Sequence, residues 1–168
     1  MGTGTSIALL QKLEVRTLMN AANKKKILIV EDSADSRELL VLCVRRLGFD
    51  VWAARDGIEA LMLAAAVHPD LIIMDISMPR MNGLQAMVRF KNDPATRNIP
   101  VVITTAHVQR SLIDRAVEVG ALDVLIKPLD FTNLGKTLGQ YLNSEIQTEV
   151  PIGHDNKNEK TSVSQNLD

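Results

Sequence analysis

Asp75 ends a short apolar run, Leu71-Ile72-Ile73-Met74, and is followed by Ile76-Ser77-Met78-Pro79-Arg80-Met81-Asn82-Gly83. A run that apolar reads as a strand buried on both faces, and the Pro and Gly beyond it place Asp75 where the strand opens into a loop. Ligands of open α/β sheets bind at the carboxyl ends of the strands. Asp75 is therefore read as a nucleophile or a metal ligand. Other strand-like runs stop at polar residues in the same way: at Glu31-Asp32, at Thr104-Thr105 and at Lys127-Pro128. Three carboxylates in one pocket repel each other. A hard cation such as Mg²⁺, which takes a few carboxylate oxygens, waters and a phosphate oxygen, removes that conflict. Asp75 could then attack phosphorus while Lys127 supplies a point charge and a threonine hydroxyl a hydrogen bond. Together these groups offset the charge of a phosphoryl-transfer transition state.

These residues share a crevice only if the elements place them together. From Lys24 onward the chain alternates strand and helix signals. Strands are expected at residues 26–30, 50–54, 71–74, 101–104 and 123–126. Ser33 is a credible N-cap for a helix over 34–47 closed by Gly48, and Asp56-Gly57 opens a helix through Val67 that Pro69 stops. Further helices are expected from Gly83 to Asn92, up to Val119 with Gly120 as its cap, and from Phe131 to about residue 143. Five such units imply a parallel sheet covered on both faces, and right-handed crossovers leave a doubly wound sheet as the main solution. Strand order 2-1-3-4-5 makes strands one, three, four and five neighbours, so their polar ends converge.

Composition limits the classes. The chain has 168 residues, 46% of them apolar but only 3% aromatic, so the core is built of aliphatic side chains and Met, as suits helices on a parallel sheet. A net charge of -1 gives no reason to expect nucleic-acid binding. Residues 1–26 carry five Lys/Arg against one Glu, and residues 143–168 carry two against five acids. No apolar stretch approaches the roughly 20 residues of a membrane span, and no signal peptide is expected. Cys43 is alone and reads as a buried, inert packing thiol, and a reducing cytoplasm is the expected home. Residues 1–23 read as an extension with one weakly amphipathic helix, and residues 143–168 as a disordered polar tail. The Met74, Met78 and Met81 cluster reads as packing, His68 as a solvated helix end, and Lys24–Lys26 as a solvated strand start.

The acidic pair after strand one, Asp-x-x-Met-Pro-x-Met-x-Gly after strand three, Thr-Ala after strand four and Lys-Pro after strand five form a specific set. Over roughly residues 24–142 the chain resembles the receiver domain of bacterial two-component response regulators, of the stand-alone, chemotaxis-regulator-like type. The resemblance implies a flavodoxin-like fold and a signalling protein that catalyses only its own phosphorylation and dephosphorylation. It makes Asp75 the phosphoacceptor for a histidine kinase or a histidine phosphotransfer protein. It makes Glu31 and Asp32 the metal-binding pair, with Asp32 the more direct ligand, and the Ser77 backbone carbonyl a further Mg²⁺ contact. Thr105 becomes the switch hydroxyl and Lys127 the phosphate-binding lysine, before a proline often preceded by a cis bond. His107 would border the phosphate and act through steric or solvent control. Output is then expected through a downstream protein target, at the surface of the fourth helix, fifth strand and fifth helix. Two positions depart from the pattern: Val124 stands where many receivers carry Tyr or Phe, and Leu129 where an aromatic is common.

Other classes fare worse. A haloacid-dehalogenase type phosphohydrolase needs a second acid two residues after its nucleophile, and that position is Ser77. A flavin phosphate needs a hydroxyl- and amide-rich loop after strand one, where Glu31-Asp32 would repel it. No Gly-x-x-x-x-Gly-Lys loop is present. A phosphorylation-independent scaffold and a phosphorelay shuttle remain as alternatives within the resemblance.

Overall fold

The computed structural model describes residues 24–142. The expected N-terminal helix and polar tail lie outside the described residues.

Five strands, β1 (Lys26–Val30), β2 (Asp50–Ala54), β3 (Leu71–Asp75), β4 (Val101–Thr105) and β5 (Asp123–Ile126), form one parallel sheet in the order β2-β1-β3-β4-β5. Five helices connect and follow them: α1 (Ala34–Arg46), α2 (Gly57–Val67), α3 (Gly83–Asn92), α4 (Arg110–Val119) and α5 (Phe131–Leu142). The central strands β3 and β4 are buried along their whole length, as strands covered on both faces must be.

Alternation along the strands divides the core in two. Leu28, Val30, Ile72, Met74, Val101 and Ile103 face one way and pack with Ala60, Ala64, Met87, Phe90 and Ala116 of α2, α3 and α4. Ile27, Ile29, Leu71, Ile73 and Val102 face the other way, against Leu40 and Val44 of α1 and Leu134 and Leu138 of α5. Met74, Met78 and Met81 are all buried, in the first of these layers.

Local chemistry sets where the helices begin and end. The Ser33 hydroxyl accepts from the Ser36 N–H at the start of α1, and Asp56 Oδ1 accepts from the N–H groups of Ile58 and Glu59 at the start of α2. Asn82 and Gln85 form a reciprocal capping box that starts α3. Helix α4 closes on Gly120 at φ +101°, in the left-handed region that glycine enters without cost. His68 takes the same role for α2 at φ +49° and is exposed, before Pro69 ends the element.

Three expectations needed adjustment. Strands β3 and β4 each run one residue further than expected, to Asp75 and Thr105, because the ladder pairs Asp75 with Thr104 and Thr105 with Ile126 regardless of side-chain polarity. Cys43 is half-buried rather than buried; partial burial pushes its thiol pKa up, against the opposing pull of Arg46. The Lys24–Lys26 start is exposed but engaged: Lys25 pairs with Asp70 at 2.9 Å, and the Lys26 ammonium donates to the Val67 carbonyl and sits over the Trp52 ring.

Candidate functional site

Parallel register brings the polar strand ends to one rim. Val30 pairs with Met74, so Glu31 stands level with Asp75; Asp75 pairs with Thr104; and Thr105 pairs with Ile126, one residue before Lys127. Backbone hydrogen bonds carry the sheet past these points, from Glu31 N–H to Ala54 O, Ile76 N–H to Thr104 O and Lys127 N–H to Thr105 O.

The carboxylates of Glu31, Asp32 and Asp75 offer oxygens that all lie within 4.8 Å of one another. Glu31 and Asp75 are buried and Asp32 is exposed at the mouth. The Lys127 ammonium bridges the two buried acids, donating to Glu31 Oε2 and to Asp75 Oδ2 at 2.6 Å each. Burial works against the ammonium, but the hydrogen bonds and charges of Asp75 and Glu31 outweigh it and hold the Lys127 pKa above its ordinary value. The peptide bond between Lys127 and Pro128 is cis.

Asp75 is also fixed from its own loop, where Ser77 N–H donates to Asp75 Oδ1 at 3.0 Å. Gly83 lets that loop close. Its N–H reaches Ile76 O at 2.9 Å, and a Cβ at this position would run into the Asp75 carbonyl oxygen and come within 2.9 Å of Ile76 Cα. Thr105 is fully buried, and its Oγ1 accepts from His107 N–H at 3.0 Å, which ties the hydroxyl to the β4–α4 loop. Val124 is partly buried against the layer formed with α2, α3 and α4. An open cleft of about 450 Å³ runs from Glu31 and Lys127 along Leu39, Leu40, Pro128, Leu129 and Phe131.

Two charged contacts near the rim were not singled out from the sequence. The Arg37 guanidinium donates from Nη1 to the carbonyl oxygens of Glu31 and Asp32, at 2.8 and 3.2 Å. Asp56 is almost fully shielded and its Oδ2 has no hydrogen bond; its charge is met by the guanidinium of Arg80, from the loop between β3 and α3. Gly57 adds to that contact, since a Cβ there would press on Met81 of the same loop and on Ala86. An Asp before Gly at a helix start signals a cap, but the arginine that neutralises it is 24 residues away, beyond the reach of local patterning.

With this geometry in place, comparison with known proteins gives a family. Residues 27–139 match the response regulator receiver domain. The chain belongs to that family. The receiver is 40% identical over 117 residues to the transcriptional regulatory protein PdtaR of Mycobacterium tuberculosis, across 68% of this chain and 55% of that protein, so it spans about half that relative's length. It is 34% identical over 118 residues to the polar-differentiation response regulator DivK of Brucella ovis, across 70% of this chain and 96% of DivK. Among solved structures, the Vibrio cholerae chemotaxis protein CheY4 superposes with a TM-score of 0.68 at 29% identity, over 71% of this chain and 99% of that one. The receiver domain of the sensor histidine kinase PA1611 from Pseudomonas aeruginosa does so with 0.67 at 27% identity, over 73% and 100%, and holds a magnesium ion in its active-site cleft. The acidic cluster of the present receiver is compatible with the same ion: three carboxylates supply hard oxygen donors, and one of them is open to solvent. Among the described residues no helix is long and apolar enough to cross a membrane.

Proposed function

We propose that this receiver accepts a phosphoryl group on Asp75, with Glu31, Asp32, Asp75 and the Ser77 carbonyl as its Mg²⁺ site. The observation that carries this reading is the Lys127 bridge: a cation 2.6 Å from both Glu31 and Asp75 sits beside the carboxylate that would be modified. Bound Mg²⁺ would supply the charge that brings a dianionic phosphoryl group up to these acids.

The donor is a phosphohistidine of a histidine kinase or phosphotransfer protein. An O–P bond to Asp75 forms as the N–P bond to the donor histidine breaks. Lys127 then moves its attention from the Asp75 carboxylate to a phosphoryl oxygen, and the Thr105 hydroxyl exchanges its contact with His107 for another. Ordinary hydrogen bonds contribute about 1 kcal/mol and those to charged groups about twice that, so the hydroxyl has a net reason to move. The β4–α4 loop would follow it, shifting a pre-existing equilibrium. Val108 after β4 and Ile126 at the end of β5 lie exposed at this end of the sheet, with Val117 of α4 exposed as well, and offer a surface for a downstream protein. The single half-buried Cys43 suits a reducing cytoplasm.

Val124 supports a second reading, a receiver-shaped scaffold that works without phosphorylation, because the usual aromatic rotor is missing. Intact-protein mass after incubation with Mg²⁺ and acetyl phosphate separates the two. One added phosphoryl group, dependent on Mg²⁺ and absent in Asp75→Asn, is expected. No adduct, together with no backbone shift changes on adding beryllofluoride and Mg²⁺, would leave the scaffold as the better reading.

A further inference from the structure

We infer that Arg37 is a positioning residue for the metal end of the site, holding the Asp32 carboxylate in place through the backbone on both of its sides. This inference rests on the reading of Glu31, Asp32 and Asp75 as a Mg²⁺ site.

The three acids are held differently. Glu31 Oε2 is tied to Lys127 and its Oε1 accepts from Ser33 N–H at 3.4 Å. Asp75 is tied by Lys127 and by Ser77 N–H. The Asp32 carboxylate has no hydrogen-bond or salt-bridge partner among the described residues. What fixes it is its main chain. The Glu31 carbonyl belongs to the peptide group before the Asp32 Cα, and the Asp32 carbonyl belongs to the group after it. Both accept from the same nitrogen of Arg37. With both peptide planes pinned to one rigid, planar donor, the two backbone torsions of Asp32 are set, and the direction of its Cβ with them.

Arg37 can do this because of where α1 starts. Its N–H makes a helical hydrogen bond to the carbonyl of the cap residue Ser33, so its backbone is fixed. Helical side chains lean toward the N-terminus, which sends the guanidinium back over the 31–32 peptides.

The same cation also acts in the opposite sense. Placed near three carboxylates, its positive charge disfavours a second cation there. Arg37 is partly buried, but the Asp32 end of the cluster is exposed, and there water and salt screen that repulsion. Loss of a group that orients a metal ligand typically weakens metal binding about tenfold or more. Positioning therefore outweighs repulsion, and the sign of the effect distinguishes them.

The test uses the full chain and Mg²⁺ alone, titrated while the amide resonances of Asp32, Ser33 and Ser77 are followed by NMR, with a thermal melt of each metal-free variant. Arg37→Met is expected to melt near the wild type, to shift the Asp32 and Ser33 amides before any metal is added, and to raise the Mg²⁺ dissociation constant about tenfold. Arg37→Lys keeps the charge and loses the planar fork, and is expected to weaken binding severalfold. Wild-type affinity in Arg37→Met, or tighter binding there with Arg37→Lys at the wild-type value, overturns the inference and leaves only a through-space charge effect. Absence of Mg²⁺-dependent shifts in the wild type overturns the metal reading itself and this inference with it, and is seen before any variant is made.

Discussion

Among the described residues Lys127 is the one cation that touches both buried acids of the rim, at 2.6 Å from each, and its side chain is 24% exposed. Removing it leaves Glu31 and Asp75 facing one another with no ion-pair partner among the described residues. Breaking a largely buried pair from one side costs about 3 kcal/mol, because the remaining charge is stranded. Lys127→Met is therefore expected to be less stable than the wild type by about that amount in metal-free buffer. Mg²⁺ should stabilise the variant more than the wild type, since a bound cation then replaces the missing ammonium without competing with it. Phosphorylation by acetyl phosphate should still be slow, because the phosphoryl oxygen has lost its lysine. Urea unfolding with and without Mg²⁺ measures the first two effects. An equal Mg²⁺ increment in both proteins would mean that lysine and metal do not share the acids.

The elements were legible to the extent that side-chain polarity reports them. Apolar runs that stop at Glu31, Asp75, Thr105 and Lys127 marked both the strands and their carboxyl ends, and Ser33, Asp56 and Gly120 marked helix boundaries. Polarity does not report ladder pairing, which is why β3 and β4 run past their apolar stretches. Nor does it report where a charged side chain is aimed. Arg37 on the Glu31 and Asp32 carbonyls is set by where α1 starts, and Arg80 on Asp56 by how a loop and a helix come together. Gly83 illustrates the difference most sharply. On helix propensity, alanine at the start of α3 would be favoured by up to about 1 kcal/mol. The structure reverses the sign, since a methyl group there meets the Asp75 carbonyl and the Ile76 Cα. Forcing in such a group costs about 1–3 kcal/mol through backbone shifts, and the backbone that shifts is that of Asp75, the proposed phosphoacceptor. Gly83→Ala should lose stability in urea melts and also slow acetyl phosphate uptake. A variant as stable as the wild type would show that the loop yields without cost.

Across the whole molecule the two ends of the sheet carry different duties. The carboxyl ends hold the acids and Lys127. The amino ends are closed by Asp70, which accepts from the Lys25 ammonium at 2.9 Å and from the Lys26 N–H at 2.8 Å, joining the start of β1 to the start of β3. Burial alone would raise the Asp70 pKa, but those two hydrogen bonds and the lysine charges prevail and bring it below the ordinary aspartate value. A carboxylate whose pKa is depressed by folding favours the folded state wherever it is ionised in both states. That contribution is complete above the unfolded aspartate pKa and is lost as pH falls through the lower folded value. Asp70→Asn should accordingly be less stable than the wild type near neutrality, by a modest amount because the pair is partly exposed and screened. The gap should close as pH is lowered through and below the aspartate range. Mg²⁺ affinity and phosphorylation rate should not change, because the full length of the buried strands separates Asp70 from the rim. Denaturant melts of both proteins across acidic pH, paired with a Mg²⁺ titration at neutrality, read both halves. A stability gap that persists in acid would assign Asp70 to packing rather than charge, and a changed Mg²⁺ affinity would mean that the two ends of the sheet are coupled.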